Sequence, residues 1–323
     1  MTLTIGKIRG LQRCSSPAGT FTILALDHRG NLKRAMNPTN PDAVSYETIV
    51  QFKQEVTSIL SSKADGMLLD PVYGAPQAIT SGALHPDTGL LVAVEKTGYA
   101  GDPTERETRI LPGWGVEKIA RMGAAAVKLL VYYHPDAPNT KDQEGIIQQV
   151  AADCQDYDIP LFLEPLSYSL DPDKKKLPTL ERQQGVVETA RRLTPMGVDV
   201  LKAEFPIDIE QDPDHEHWHQ ACRALTAASA VPWVLLSAGV SFEDFKRQAE
   251  IACKGGASGI LAGRAVWKEA VNLSGDSRID FLQTTASTRL VELRDLVTAY
   301  ARSWYDYHPD LGSAVNEGWY LEY

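Results

Sequence analysis

Residues 21–30 read FTILALDHRG, a short apolar run followed directly by Asp27, His28, Arg29 and Gly30. A nearly continuous apolar run fits a parallel strand covered by helices better than a half-exposed strand, which would alternate. An open, doubly wound α/β sheet usually carries a glycine-rich phosphate fingerprint right after its first strand. Here charged and polar side chains occupy that place. A closed barrel becomes the expectation if enough similar runs follow.

They do follow. Runs at 66–69, 90–94, 125–131, 160–163, 199–203, 233–236 and 258–262 bring the total to eight. Polar stretches with helical spacing separate them. Residues 44–62 carry Val44, Ile49, Phe52, Val56, Ile59 and Leu60 as a stripe, 115–122 carry Val116, Ile119, Ala120 and Met122, and 242–253 carry Phe242, Phe245, Ala249, Ile251 and Ala252. Ser241 is placed as an N-cap before Asp244, and Gly123, Gly197 and Gly255–Gly256 stand where helix C-caps belong. Eight strands alternating with helices give a (β/α)8 TIM barrel over about 20–275, in a single domain spanning 1–323. A C-terminal helix from 280 to about 302 and an aromatic tail, SWYDYHPDLGSAVNEGWYLEY, complete the chain. The tail packs on its own barrel, or else forms a subunit contact or a flap near the site.

Composition narrows the function. The 323 residues hold 42 acidic and 32 basic side chains, a net charge of −10 that disfavours non-specific binding to nucleic acid or an anionic membrane. No apolar stretch approaches a membrane span, and residues 1–20 lack the apolar segment of a signal peptide. Cys14, Cys154, Cys222 and Cys253 form no CxxC pair and read as free thiols in a reducing compartment. The expectation is a cytoplasmic protein acting on a small molecule, without nucleic-acid or membrane partners, as a homo-oligomer.

Chemistry in a (β/α)8 barrel sits at the C-terminal ends of the strands. Those ends offer Asp27, Asp70, Glu95-Lys96 and Glu164, while Lys128 and Lys202 lie inside apolar strands. Burial disfavours the ammonium form of a lysine, and a free amine can attack a carbonyl to form a Schiff base. The alternative is a lysine tied into an ion network. Lys202 and Glu204 leave the same face of one strand, and Glu164 comes from the neighbouring strand. Spacing alone does not choose between the two carboxylates as proton carrier. The last two loops, Ser237-Ala238-Gly239 and Gly263-Arg264, fit the phosphate site that this fold builds after strands seven and eight.

His215-Glu216-His217-Trp218-His219 matches the zinc-protease pattern H-E-x-x-H. It opens a polar helix after Asp212-Pro213-Asp214 with no evident third ligand, so it reads as a solvated first turn over a buried stripe of Trp218, Cys222 and Leu225. A metal-dependent enzyme using His85, His134 or this cluster is one rival reading. A non-catalytic sugar-phosphate-binding regulator is another.

The segments ALDHRG (25–30), LLDPVYG (68–74), VEKTGY (94–99), VKLLVYY (127–133), LFLEPLSY (161–168), VDVLKAEFP (198–206), LLSAGV (235–240) and GILAGRAVW (259–267) together resemble the class I tagatose 1,6-bisphosphate aldolase family, including the related 6-deoxy-6-sulfofructose-1-phosphate aldolases. The resemblance implies a Schiff-base aldolase that releases dihydroxyacetone phosphate and uses no metal or other cofactor. It implies Lys202 as the Schiff-base lysine and Glu164 as the general acid/base. Asp27 and Lys128 would line the region of the substrate hydroxyls and carbonyl, and Ser237, Gly239, Gly263 and Arg264 would hold the phosphate. His28 stands where the family usually carries Gln, which changes a substrate-binding position. The EKTGY stretch leans toward the tagatose branch, and PWVLLSAGV and GASGILAGRAVW lean toward the sulfosugar branch.

Overall fold

A computed structural model describes residues 3–174, 177–311, 315, 317–321 and 323. The apolar runs become parallel strands β1 (Phe21–Leu26), β2 (Gly66–Leu69), β3 (Gly89–Ala93), β4 (Ala126–Tyr132), β5 (Leu161–Leu166), β6 (Val200–Ala203), β7 (Trp233–Leu236) and β8 (Gly259–Ala262). They pair in chain order, and β8 closes on β1 with Thr22 opposite Ile260. This is a TIM barrel. The one strand that clearly outruns its apolar run is β5. It continues through Glu164 and Pro165 to Leu166 because β4 runs alongside, with Leu130 opposite Glu164 and Val131 opposite Pro165.

The helices between strands start and stop as local chemistry dictates. Ser45 caps the helix Tyr46–Leu60 by accepting from Thr48 N, and Ser241 caps Phe242–Lys254 by accepting from Asp244 N at 3.1 Å. The turns beyond two other helices use Gly123 and Gly197 at φ +84° and +87°, a region that L side chains rarely enter.

Two apolar zones hold the barrel together. Outside the strands, residues such as Leu24, Met67, Val92, Leu129, Leu163, Leu201, Leu235 and Ile260 pack against the helices. Inside, Phe21, Ile23, Ala25, Leu68, Leu91, Ala126, Phe162, Val200, Val234 and Leu261 fill the lumen. Phe21 and Phe162 meet edge to face there, with ring centroids 5.8 Å apart. The split follows the period of two along each strand.

A helix absent from the sequence expectations, Ile5–Cys14, lies across the N-terminal end of the barrel. Its apolar face is small, with Leu11 and Cys14 buried, and Lys7 is buried by pairing with Asp199 Oδ2 at 2.9 Å. Gly10 allows the close approach, since a Cβ there would lie 2.4 Å from Ala125 O. The same end receives the C-terminal segment. Trp304 is fully buried, its N–H donates to Gly19 O, and its indole Nε1 donates to Ser15 Oγ at 3.1 Å.

The C-terminal helical segment begins at Gly275, earlier than expected, and passes through a π turn at Leu282–Ala286 to end at Tyr300. Ala301 leaves the helix in an extended conformation, and Arg302 N then bonds Ala257 O at 2.9 Å. In the tail beyond, Trp304 docks on the barrel, whereas Trp319, Tyr320 and Tyr323 are exposed. Residues 312–314, 316 and 322 of that tail lie outside the described residues. The four cysteines are free and buried. Among the described residues, no helix is long and apolar enough to cross a membrane.

Candidate active site

The lumen's period of two carries directly into the site. Asp27 follows Ala25, Lys128 follows Ala126, Glu164 follows Phe162, Lys202 follows Val200, and Gly263 follows Leu261, each two residues beyond an inward-facing core position. They surround a cavity of about 270 Å³ at the C-terminal end of the barrel, which also reaches His28, Ser237 and Arg264.

Lys128 is fully buried at the centre of an ion cluster. Its Nζ lies 2.9 Å from Asp27 Oδ2, 2.7 Å from Glu95 Oε1 and 2.9 Å from Glu164 Oε2. Burial disfavours its charge, but Asp27, Glu164 and Glu95 overcome that and raise its pKa well above the ordinary lysine value. Of the two readings open for a lysine inside an apolar strand, Lys128 takes the ion network and keeps its charge. Asp27 and Glu164 respond in the opposite sense. Burial pushes both up, yet Lys128 and then Lys202 hold both below the usual carboxylate range, Asp27 well below it.

Lys202 projects from β6 with only 4% of its surface exposed and meets one carboxylate, Glu164 Oε2, at 2.8 Å. Glu164 Oε2 thus faces two ammonium groups at once. Glu204 shares a strand face with Lys202 but is occupied elsewhere. Its Oε2 accepts from Ser167 N and Oγ at 2.7 and 2.6 Å, and Oε1 faces Arg182 Nη2 at 3.5 Å. This geometry separates the two carboxylates that spacing left open.

Across the cavity, the loops after β7 and β8 interlock. Gly263 N donates to Ser237 Oγ at 3.2 Å. Gly239, at φ +85°, lies directly beneath the Arg264 guanidinium, whose Cζ would be 3.0 Å from a Cβ at that position. Gly263 is equally constrained, since a Cβ would approach Ala25 O at 2.9 Å and His28 Cε1 at 3.2 Å. The result is a concave patch of backbone, one hydroxyl and one guanidinium, suited to a phosphate or sulfonate.

His28 stands between the two halves. Its ring packs edge-on against Trp267 at 5.3 Å, and its buried Nδ1 has no hydrogen-bond partner. Burial lowers its pKa to about 4, opposed by Asp27 and reinforced by the positive charge of Arg264 and Lys202. The imidazole is therefore neutral near pH 7 and free to donate or accept.

All nine sequence-expected positions line this one cavity or the loops that form it. Glu95 and Arg29 were not among them. Glu95 Oε2 accepts from Leu130 N at 3.1 Å while Oε1 holds Lys128, and Arg29 Nη2 donates to Glu95 O at 2.7 Å. Glu95 was legible as a charged residue at a strand end, but its partner is set by the barrel register.

The H-E-x-x-H segment does not converge on a point. His215 packs on Trp218 with the rings tilted by 47° and centroids 4.5 Å apart, His217 bonds Asp212 and Gln183, and His219 Nε2 lies 3.4 Å from Lys254 O. Trp218, Cys222 and Leu225 are buried beneath it. Among the described residues, no group of three or more His, Cys, Asp and Glu side chains is arranged to hold a metal ion.

Residues 21–269 match the family described as DeoC/LacD family aldolase. The chain belongs to the DeoC/LacD aldolase family. It is thus an aldolase, a carbon–carbon lyase. It is 33% identical to the tagatose 1,6-diphosphate aldolase of Staphylococcus epidermidis, over 94% of this chain and 99% of that one. The protein of the same name from Staphylococcus aureus is also 33% identical, over 92% and 97%. In fold, the chain is similar to a fructose-bisphosphate aldolase from Plasmodium falciparum, with a TM-score of 0.70, 14% identity and coverage of 94% and 98%.

Proposed function

We propose that this aldolase works through a Schiff base on Lys202 and cleaves a ketose 1-phosphate. The observation that carries this is the placement of Lys202 Nζ on the cavity wall, 2.8 Å from an ionised Glu164 and facing the Ser237–Arg264 anion patch. Glu164 takes the proton that Lys202 must lose. The amine then attacks the C2 carbonyl, and Glu164 returns that proton to the carbinolamine hydroxyl, so that water leaves, the iminium forms and Glu164 is a carboxylate again. Lys128, a fixed cation held by Asp27 and Glu95, stabilises oxyanion character at the carbonyl and neighbouring hydroxyls. Glu164 next accepts the C4 hydroxyl proton. The C3–C4 bond breaks, its electrons pass into the iminium to give an enamine, and an aldehyde departs. Protonation at C3 and hydrolysis return Lys202 and release dihydroxyacetone phosphate. No step uses a metal or other cofactor.

The substrate favoured by the relatives' names is tagatose 1,6-bisphosphate, giving glyceraldehyde 3-phosphate as the aldehyde. The rival is 6-deoxy-6-sulfofructose 1-phosphate, giving sulfolactaldehyde. His28, in the place of the expected Gln, sits within this choice because its unpartnered Nδ1 is a recognition group different from an amide. The protein acts in the cytoplasm as a homo-oligomer, a state to be read by light scattering.

Borohydride added with dihydroxyacetone phosphate tests the reading. The expected result is a stable mass increase on the peptide containing Lys202. No adduct, or an adduct on Lys128, would overturn it. Ratios of kcat/KM for tagatose 1,6-bisphosphate, fructose 1,6-bisphosphate and 6-deoxy-6-sulfofructose 1-phosphate then fix the substrate.

A further inference from the structure

Behind the site lies a second buried charge pair that no catalytic step uses. Lys53 comes from the helix Tyr46–Leu60, outside the barrel, and is 1% exposed. Its ammonium ion-pairs with Asp70, which is fully buried just past the end of β2, and donates to Leu26 O at 2.7 Å. Asp70 Oδ1 in turn accepts from Val72 N and Tyr73 N at 2.9 and 2.8 Å, so the carboxylate also shapes the turn after β2.

A buried ion pair is weak as a stability device, because desolvation offsets most of the attraction. Its location supplies another role. Leu26 is the last residue of β1, the point where the chain leaves the ladder and presents Asp27. A buried carbonyl there needs a donor. Lys53 supplies one from outside the sheet, and Asp70 fixes where that donor stands.

We propose that Lys53 is a positioning residue of the active site, tying the Leu26 carbonyl to Asp70 so that Asp27 is held against Lys128. The inference rests on the Schiff-base reading above. Lys53 does not line the cavity, so it acts through Asp27, which meets Lys128 at 2.9 Å. A misplacement of the order of 1 Å at such a group can cost a factor of ~100 in rate.

The test is Lys53→Met combined with Asp70→Asn. The amide oxygen still caps Val72 and Tyr73, and neither charge is left buried alone. Active sites in wild type and variant are counted by borohydride trapping of dihydroxyacetone phosphate on Lys202, and kcat is expressed per trappable site. The expected result is a fall in kcat of about tenfold or more, with KM within about twofold and a cooperative melt retained. A kcat per site within about twofold of wild type would overturn the proposal, as would a loss that appears only as fewer trappable sites or an unfolded chain, in which case the pair is structural. Failure of the wild type itself to trap on Lys202 would overturn the Schiff-base reading instead, and this proposal with it.

Discussion

Lys128 and Lys202 reach the same oxygen, Glu164 Oε2, from different strands, at 2.9 and 2.8 Å. The two lysines are not equivalent. Lys128 is bound by three carboxylates and stays charged, whereas Lys202, among the described residues, ion-pairs with Glu164 alone. One cation is permanent, and the other amine has a base beside it. That asymmetry supports the proposal that Lys202 is the nucleophile.

Replacing Glu164 by Gln removes the base while keeping the shape. Cleavage should fall by ~10²–10⁴-fold, the usual contribution of a positioned acid or base. Steady-state kinetics measure the loss. Wild-type turnover in Glu164→Gln would exclude this carboxylate from the proton transfers.

Lys128→Met should unfold readily, because Asp27, Glu95 and Glu164 would be left buried without their shared cation. The expected cost is ~3–5 kcal/mol in urea unfolding at pH 7. In the variant, acidification protonates carboxylates that have lost the Lys128 ammonium, Asp27 first because Glu164 keeps Lys202, so the deficit should shrink toward pH 5. An equal deficit at both pH values would contradict the ion-cluster account.

His28 makes stability depend on acid in a defined window. Its folded pKa, about 4, is below the unfolded value of about 6.5. As pH falls through that interval the unfolded chain binds a proton that the native protein refuses, so stability is lost at up to about 1.4 kcal/mol per pH unit. Asp27 and Glu164 are also depressed, but their contribution is present above their unfolded values of about 3.9–4.3 and is lost only as pH falls below them. His28→Gln should flatten the denaturation profile between about pH 6.5 and 4 relative to wild type. Parallel profiles would show that His28 is not the group responsible.

Gly239→Ala places a methyl group against the Arg264 guanidinium in a left-handed backbone. KM for the ketose phosphate should rise by about tenfold or more, with a backbone strain of about 1–2 kcal/mol. An unchanged KM would remove this loop from anion binding.

Exhaustive EDTA treatment and His219→Ala should each leave turnover within about twofold of wild type, since surface substitutions away from a site have small effects. Loss of activity in either case would restore the H-E-x-x-H segment as a metal site.

The barrel and much of its site were legible because both depend on the period of two. Once Ala126, Phe162 and Val200 face inward, Lys128, Glu164 and Lys202 must face inward above them. What local pattern could not reveal was which side chains meet across the barrel. Glu95 and Lys128 are neighbours only through the β3–β4 register, with Ala93 opposite Lys128. The charge on Lys128 stays open in the sequence for the same reason, because burial is visible there and its three counter-ions are not. The helix Ile5–Cys14 hid behind a buried lysine, whose partner Asp199 is distant in sequence. Lys53 lies beside Phe52 in an amphipathic helix where no local pattern marks it as buried, yet it points inward to Asp70.

With Trp304, Leu11 and Cys14 packed beneath the lumen and the Phe21–Phe162 pair within it, the lower end of the barrel is closed by side chains. Traffic to Lys202 therefore uses the upper rim, and arrivals and departures share one doorway.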